Sequence, residues 1–187
     1  MNGETIKSTI EARVKDGISL SGVGLTGADL REANLAYADL AYANLTHAKL
    51  SRADLTCVNL THASLRNADL TNADLICINL TGTDLAYANL SGANLARANS
   101  RRANLEGVNL MDANLARANL REVNLADANL TGANLTRAIL AGADLTRAKL
   151  TGAYLTDADL TNADLTDAIL AGADLTGANL TNTKGVE

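Results

Sequence analysis

From Leu20 to Leu180 every fifth residue is a leucine, with Ser100 the one exception. Ala or another small residue sits two positions before most of these leucines, and Asp or Asn usually fills the position between. Gly27-Ala28-Asp29-Leu30-Arg31 is one such unit, and the chain is largely that unit rewritten without insertions. This spacing suits neither regular structure. On an α-helix five residues advance the chain by about 500°, a net of roughly 140°, so the leucines would spiral round the axis without forming a stripe. On a flat strand an odd period sends successive leucines to opposite faces. The repeats are also rich in Thr, Asn, Asp and Gly, which are poor in helix interiors.

A third solution buries every leucine. In an extended segment residues two apart point the same way, so Ala28 and Leu30 face inward while Asp29 faces outward. Arg31 and Glu32 must then turn a corner so that Ala33 and Leu35 face inward again. A chain that bends the same way at each corner winds into a coil. Stacked coils bury their Leu and Ala in a central column and pair their backbones in parallel. The chain has no Phe, Trp or Pro, so that column is aliphatic.

Ala-Asp-Leu-x-x and Ala-Asn-Leu-x-x units running without a gap resemble the pentapeptide-repeat family, over about nine-tenths of the chain. The resemblance implies an all-β solenoid: a right-handed, four-sided parallel β-helix with four pentads to a coil, so that residues twenty apart stack. About eight coils at a parallel strand spacing of ~4.8 Å make a rod roughly 40 Å long. Three segments follow: an N-terminal capping helix in 1–17, the β-helix in 18–183 and a short tail in 184–187. Glu4 to Lys15 reads as a short α-helix with Ile6, Ile10 and Val14 on one apolar edge. Gly17 is its stop signal, and its expected place is over the first coil. The polar tail is too short to cover the last coil. That open edge is expected to pair with a second copy, giving a homodimer through the C-terminal end of the rod.

Stacking the sequence by twenties assembles one unusual face. One corner column reads Tyr37, Cys57, Cys77, Arg97, Arg117, Arg137, Asp157, and the corner across that face holds Tyr42, His62, Arg101, Arg102, Arg121 and Glu122. The candidate binding residues are therefore Arg97, Arg101, Arg102, Arg117, Arg121 and Arg137, with Ser100 pointing inward behind them. Two readings stay open. The arginines form a basic patch for an acidic partner surface or a phosphate group, or they form a solvated rim in which Arg102 and Glu122 make an ordinary surface pair. Ser in place of Leu at position 100 loses ~2–4 kcal/mol unless the site relaxes or a water fills it. It is either a dent that serves binding or a tolerated defect. From Asn89 to Asn134 the residue before each central position is always Asn, and stacked Asn can pair amide to amide up the rod. Cys57 and Cys77 are vertical neighbours whose parallel Cβ vectors suit a disulfide poorly, so free thiols are expected. His47 and His62 lie too far round the coil to complete a zinc site with them.

The formal net charge of −5 argues against direct nucleic-acid binding. No apolar run is long enough for a membrane helix, and without a secretory signal core a cytoplasmic location is expected. No nucleophile, base and orienting group come together, so no enzyme activity, catalytic residue, cofactor or metal is expected. The expected function is a rigid, non-enzymatic scaffold that binds another protein. Some members of the family it resembles regulate a partner in this way. Others mimic DNA and bind a type II topoisomerase, protecting it from quinolones or peptide toxins; this is the alternative. Those members commonly carry Phe at the central position and a strongly negative face. Here Phe is absent, and between Ala96 and Gly142 six Arg face two Asp and two Glu, a net of +2.

Overall fold

The computed structural model describes residues 5–186. Its one helix, α1, runs Ile6–Lys15. Thr5 caps it by accepting the Ser8 N–H at 3.3 Å, as an N-cap hydroxyl does. Asp16 closes the other end, and Gly17 follows in the left-handed region at φ 68°. The expected start at Glu4 lies outside the described residues. The expected apolar edge holds for two of its three residues. Ile10 is 3% exposed and Val14 packs against the core, but Ile6 is 47% exposed. The first turn of α1 sits at the rim of the coil, where Lys7 Nζ donates to the Arg31 carbonyl at 2.9 Å. Glu11 does more: its Oε1 accepts the Asn34 N–H at 2.8 Å. In the coils beyond, the equivalent donor meets a backbone carbonyl, as Asp54 N does at Ala33 O, 2.9 Å. Glu11 thus satisfies an edge donor that no earlier coil could reach.

Beyond α1 the chain is a ladder of single-residue parallel bridges, each joining residue i to residue i+20, from Gly24↔Asn44 to Asp164↔Lys184. One turn of the coil is therefore four pentads. Three backbone bonds between coils repeat along it, one of them from the second corner residue, as Arg52 N to Thr71 O at 3.0 Å. The Leu N–H donates up the stack, as Leu50 does to Asp69 O at 2.6 Å, and the residue before Leu donates down it, as Lys49 does to Ala28 O at 2.9 Å. Each corner is closed by a further bond from the following small residue to the Leu carbonyl, as Ala53 N to Leu50 O at 3.0 Å. The second corner residue is left-handed at every turn, from Gly22 at φ 69° to Asn182 at φ 56°. At Gly82 and Gly107 a Cβ would come within 2.6 Å of the His62 ring and 2.5 Å of the Tyr87 ring, so a larger residue there would have to displace those rings.

The outward Asp or Asn stabilises each corner locally. Its Oδ1 accepts the N–H two residues on, as Asp69 does from Thr71 at 3.0 Å and Asn114 from Ala116 at 3.1 Å. Where that corner residue is Thr, its hydroxyl can join the same oxygen, as Thr71 Oγ1 does at 2.5 Å. This is the turn chemistry of Asx residues. Inside, every Leu from Leu20 to Leu165 is at most 2% exposed, each contributing roughly 2 kcal/mol of burial. The last leucines, Leu170, Leu175 and Leu180, are only partly buried. Among the described residues no helix is long and apolar enough to cross a membrane.

Candidate interaction face

The twenty-residue register brings the expected residues onto one side. The bridge ladder Asn59, Asn79, Asn99, Asn119 forms its centre line. Its amides are tied together: Asn79 and Asn99 donate to the hydroxyls of Thr61 and Thr81 at 3.0 Å each, and Asn119 donates to Asn99 Oδ1 at 3.4 Å. Arg97 and Arg117 flank this line at one corner. Arg101, Arg102 and Arg121 flank it at the other, and all are exposed. The centre is neutral and self-satisfied, and the charge sits on the two edges.

The six arginines are not equivalent. Arg102 Nε donates to Glu122 Oε2 at 2.6 Å, and Arg101 Nη2 lies 3.9 Å from Glu122 Oε1. The Arg102 hydrogen bond holds the Glu122 carboxyl below its ordinary range. Arg137 Nε donates to Asp157 Oδ2 at 3.3 Å. Elsewhere on the coil Arg31, Arg52, Arg66 and Arg147 are paired with Asp29, Glu32, Asp84 and Asp127. Among the described residues Arg97, Arg117 and Arg121 are the coil arginines left without a carboxylate within 4.0 Å. Arg97 and Arg117 are neighbours in one corner column, so two like charges stand a coil spacing apart with nothing between them.

Ser100 lies behind the face, 1% exposed, and its Oγ has no hydrogen-bond partner among the described residues. Its backbone is regular, with its N–H donating to Asn119 O at 2.8 Å. The contrast is Thr83, the other buried hydroxyl, whose Oγ1 donates to Leu60 O at 2.7 Å. Thr83 occupies the small-residue position, where a hydroxyl reaches a carbonyl of the neighbouring coil. Ser100 occupies the Leu position in the buried column, where its hydroxyl finds no partner among the described residues.

One grouping escaped the sequence reading, and another, Tyr42 with His62, was placed in one column without its stacking being drawn out. On another side Arg66 sits over the Tyr87 ring at 5.7 Å and contacts Asp84 at 3.1 Å, while Tyr87 donates its hydroxyl to Glu106 at 2.7 Å. That bond pushes the Tyr87 hydroxyl above its ordinary range. Tyr42 stacks on His62 with ring centroids 5.5 Å apart. The Arg66 cluster follows from spacings of eighteen to twenty-one residues, a signal the column reading could have used. Near α1, shallow grooves are lined by Glu11, Val14, Asn34 and Tyr37, away from the arginines. Among the described residues no group of three or more His, Cys, Asp or Glu is placed to hold a metal ion.

A family model described as pentapeptide repeats matches in eight copies, over residues 16–52, 53–86, 73–112, 113–152 and 143–182. Among solved structures, two trypsin-treated variants of QnrB1, a plasmid-mediated fluoroquinolone resistance protein, are similar. One is 24% identical with a TM-score of 0.73, over 81% of this chain and 76% of that one. The other is 22% identical with a TM-score of 0.74, over 85% and 84%. These likenesses speak for the fold. HetL, from the cyanobacterium Nostoc sp. strain PCC 7120 and involved in heterocyst differentiation regulation, is 35% identical over 89% of this chain and 86% of its own, with a TM-score of 0.39. No curated protein matches the sequence.

Proposed function

The chain belongs to the pentapeptide-repeat family, and from that premise we propose that it is a rigid, non-enzymatic scaffold that holds an acidic surface of another protein in the cytoplasm. The scaffold is a four-sided right-handed rod of about eight coils with α1 over its first coil. The observation that carries the reading is the unpaired set Arg97, Arg117 and Arg121 around a neutral Asn ladder, on a coil whose other arginines have carboxylate partners. Stacked guanidinium groups without counter-charges repel one another, and a partner's carboxylates remove that repulsion. A helix of the partner laid along the rod suits the spacing, because carboxylates three or four residues apart recur every ~5–6 Å and the rungs recur every ~4.8 Å. Ser100 contributes as a soft point in the core behind this face.

Pull-down from the native host with the wild type and with a variant carrying Arg97→Glu, Arg117→Glu and Arg121→Glu tests this. The partner held by the wild type is expected to be absent from the variant and to leave the wild type at about 0.5 M salt, where screening acts within a few ångströms. Equal capture by both overturns the assignment of the face. A supercoiling assay with a type II topoisomerase bears on the DNA-mimic alternative, and inhibition at micromolar protein would favour that alternative. The partly buried Leu170, Leu175 and Leu180 and the exposed Ile169 support end-to-end pairing with a second copy. Light scattering is expected to give twice the chain mass.

A further inference from the structure

Cys57 and Cys77 are both exposed free thiols, and they occupy successive rungs of one corner column. Side chains in such positions touch across the coil. Arg102 meets Glu122, Arg147 meets Asp127, and Asn182 donates to Asn162 at 3.2 Å, each pair twenty residues apart. The two cysteines have the same backbone geometry, φ 56° at each. They are anchored alike, Cys57 N to Ile76 O at 2.9 Å and Cys77 N to Ala96 O at 3.0 Å. The Cys57 thiol senses its neighbour: partial desolvation first, then the charge and hydrogen-bonding of Cys77, push it up. Tyr37 and Arg97 occupy the adjacent rungs of the column.

The spacing decides what chemistry suits the pair. A disulfide wants its Cβ atoms about 3.8 Å apart, whereas successive rungs are ~4.8 Å apart with their side chains parallel. Closing a direct sulfur–sulfur bond would require the coils to pinch together. A single atom bridging two sulfurs needs no such movement, and soft thiophilic centres accept two thiolates.

We propose that Cys57 and Cys77 form a two-thiol site for one soft thiophilic centre of low coordination number, of the class represented by trivalent arsenic bearing one organic group. With such an oxide, R–As=O, both S–H bonds and the As=O bond break and two As–S bonds form. The oxygen leaves with the two protons as one water. Arsenic stays trivalent and no oxidant or reductant is consumed. The adduct would sit beside Arg97 and cross-link two adjacent coils.

Phenylarsine oxide is the probe, added to the full chain under a non-thiol reductant and followed by native mass spectrometry and thiol counting. One phenylarsenic per chain, with both thiols consumed, is the expected result. Because both sulfurs must be displaced together, a monothiol competitor should be needed at about 100-fold higher concentration to strip the wild type than to strip Cys57→Ser or Cys77→Ser. Both positions are exposed, so circular dichroism identical to wild type verifies that each variant is folded. Equal sensitivity of wild type and variants to the competitor, or two phenylarsenic groups per chain, overturns the proposal.

Discussion

Arg102 and Glu122 stand one turn of the coil apart and share a 2.6 Å hydrogen bond, and the same carboxylate lies 3.9 Å from Arg101. One acidic residue thus restrains two of the three arginines at that edge, while Arg121 has no carboxylate within 4.0 Å among the described residues. Glu122→Gln removes the charge while keeping the side chain's size. The variant should retain an acidic probe, poly-L-glutamate, several-fold more tightly than wild type at low salt, with the difference vanishing by about 0.5 M salt. Surface plasmon resonance checks this, and unchanged retention would mean that the edge does not contact acidic ligands.

Ser100 breaks the leucine column and leaves a hydroxyl unpaired in the core. Ser100→Leu should raise the unfolding free energy by about 2–4 kcal/mol, the usual range for restoring a buried leucine. Ser100→Ala should raise it by about 1 kcal/mol by removing the unpaired group alone. Thr83→Val should do the reverse, costing about 1 kcal/mol, because its hydroxyl is bonded to Leu60 O at 2.7 Å. Urea unfolding of the three variants measures the contrast.

The amide ladder makes a separate prediction. Asn109 Nδ2 donates to Asn89 Oδ1 at 3.0 Å, and Asn109 Oδ1 accepts from Asn129 Nδ2 at 3.3 Å and from the Met111 N–H at 3.2 Å. Asn109→Asp keeps the acceptors and loses the donor, so two oxygens face each other in place of a hydrogen bond. A loss of about 1 kcal/mol is expected at pH 7, and it should shrink as the new carboxyl is protonated below about pH 4.

Acid should destabilise the coil through its corners. Asp29 is lowered to about 2, chiefly by its hydrogen bond to Arg31. Asp39 is lowered by Ser19, Asp159 by Thr161, Asp164 by Thr166 and Asp174 by Thr176. A carboxyl held lower in the folded chain than in the unfolded one stabilises the fold above the unfolded value, near 3.9. It loses that contribution as the pH falls through its folded value. The melting temperature should therefore stay level from pH 7 to about 5 and fall steadily between about pH 4 and 2. These groups are at least partly open to solvent, so added salt should flatten the fall where the partner is an arginine, as at Asp29, more than where it is a threonine, as at Asp159.

The period alone carried most of the fold. A leucine every fifth residue, with no insertion, leaves the chain no other way to bury Leu30, Leu35 and Leu40 together, and the register then places Arg97 beneath Arg117 without further information. Pairing was legible only in part: the register already stacked Arg102 with Glu122 as a surface pair, but not which of the other arginines are neutralised. Whether an arginine is neutralised depends on the carboxylate in the next rung or across the corner: Glu122 serves Arg102, Asp157 serves Arg137, and among the described residues no carboxylate within 4.0 Å serves Arg117. Helical spacing likewise put Ile6 on the apolar edge of α1, but only the way α1 lies on the coil, with Lys7 over its rim, shows that Ile6 points away from the core. The state of the Ser100 hydroxyl was also out of reach, since Ser and Thr read alike in a list of core positions. Their difference is whether a carbonyl of the neighbouring coil lies within reach.

Each face assignment rests on the i to i+20 register. His47 and Asp167 are exposed, lie in one corner column and are six turns of the coil apart. Spin labels at His47→Cys and Asp167→Cys, in a chain with Cys57→Ser and Cys77→Ser, report their separation by pulsed electron resonance. At a rise of ~4.8 Å per turn the expected distance is about 29 Å, as a single narrow population. A broad distribution, or a peak beyond about 40 Å, would contradict the stacked coil and every face drawn from it.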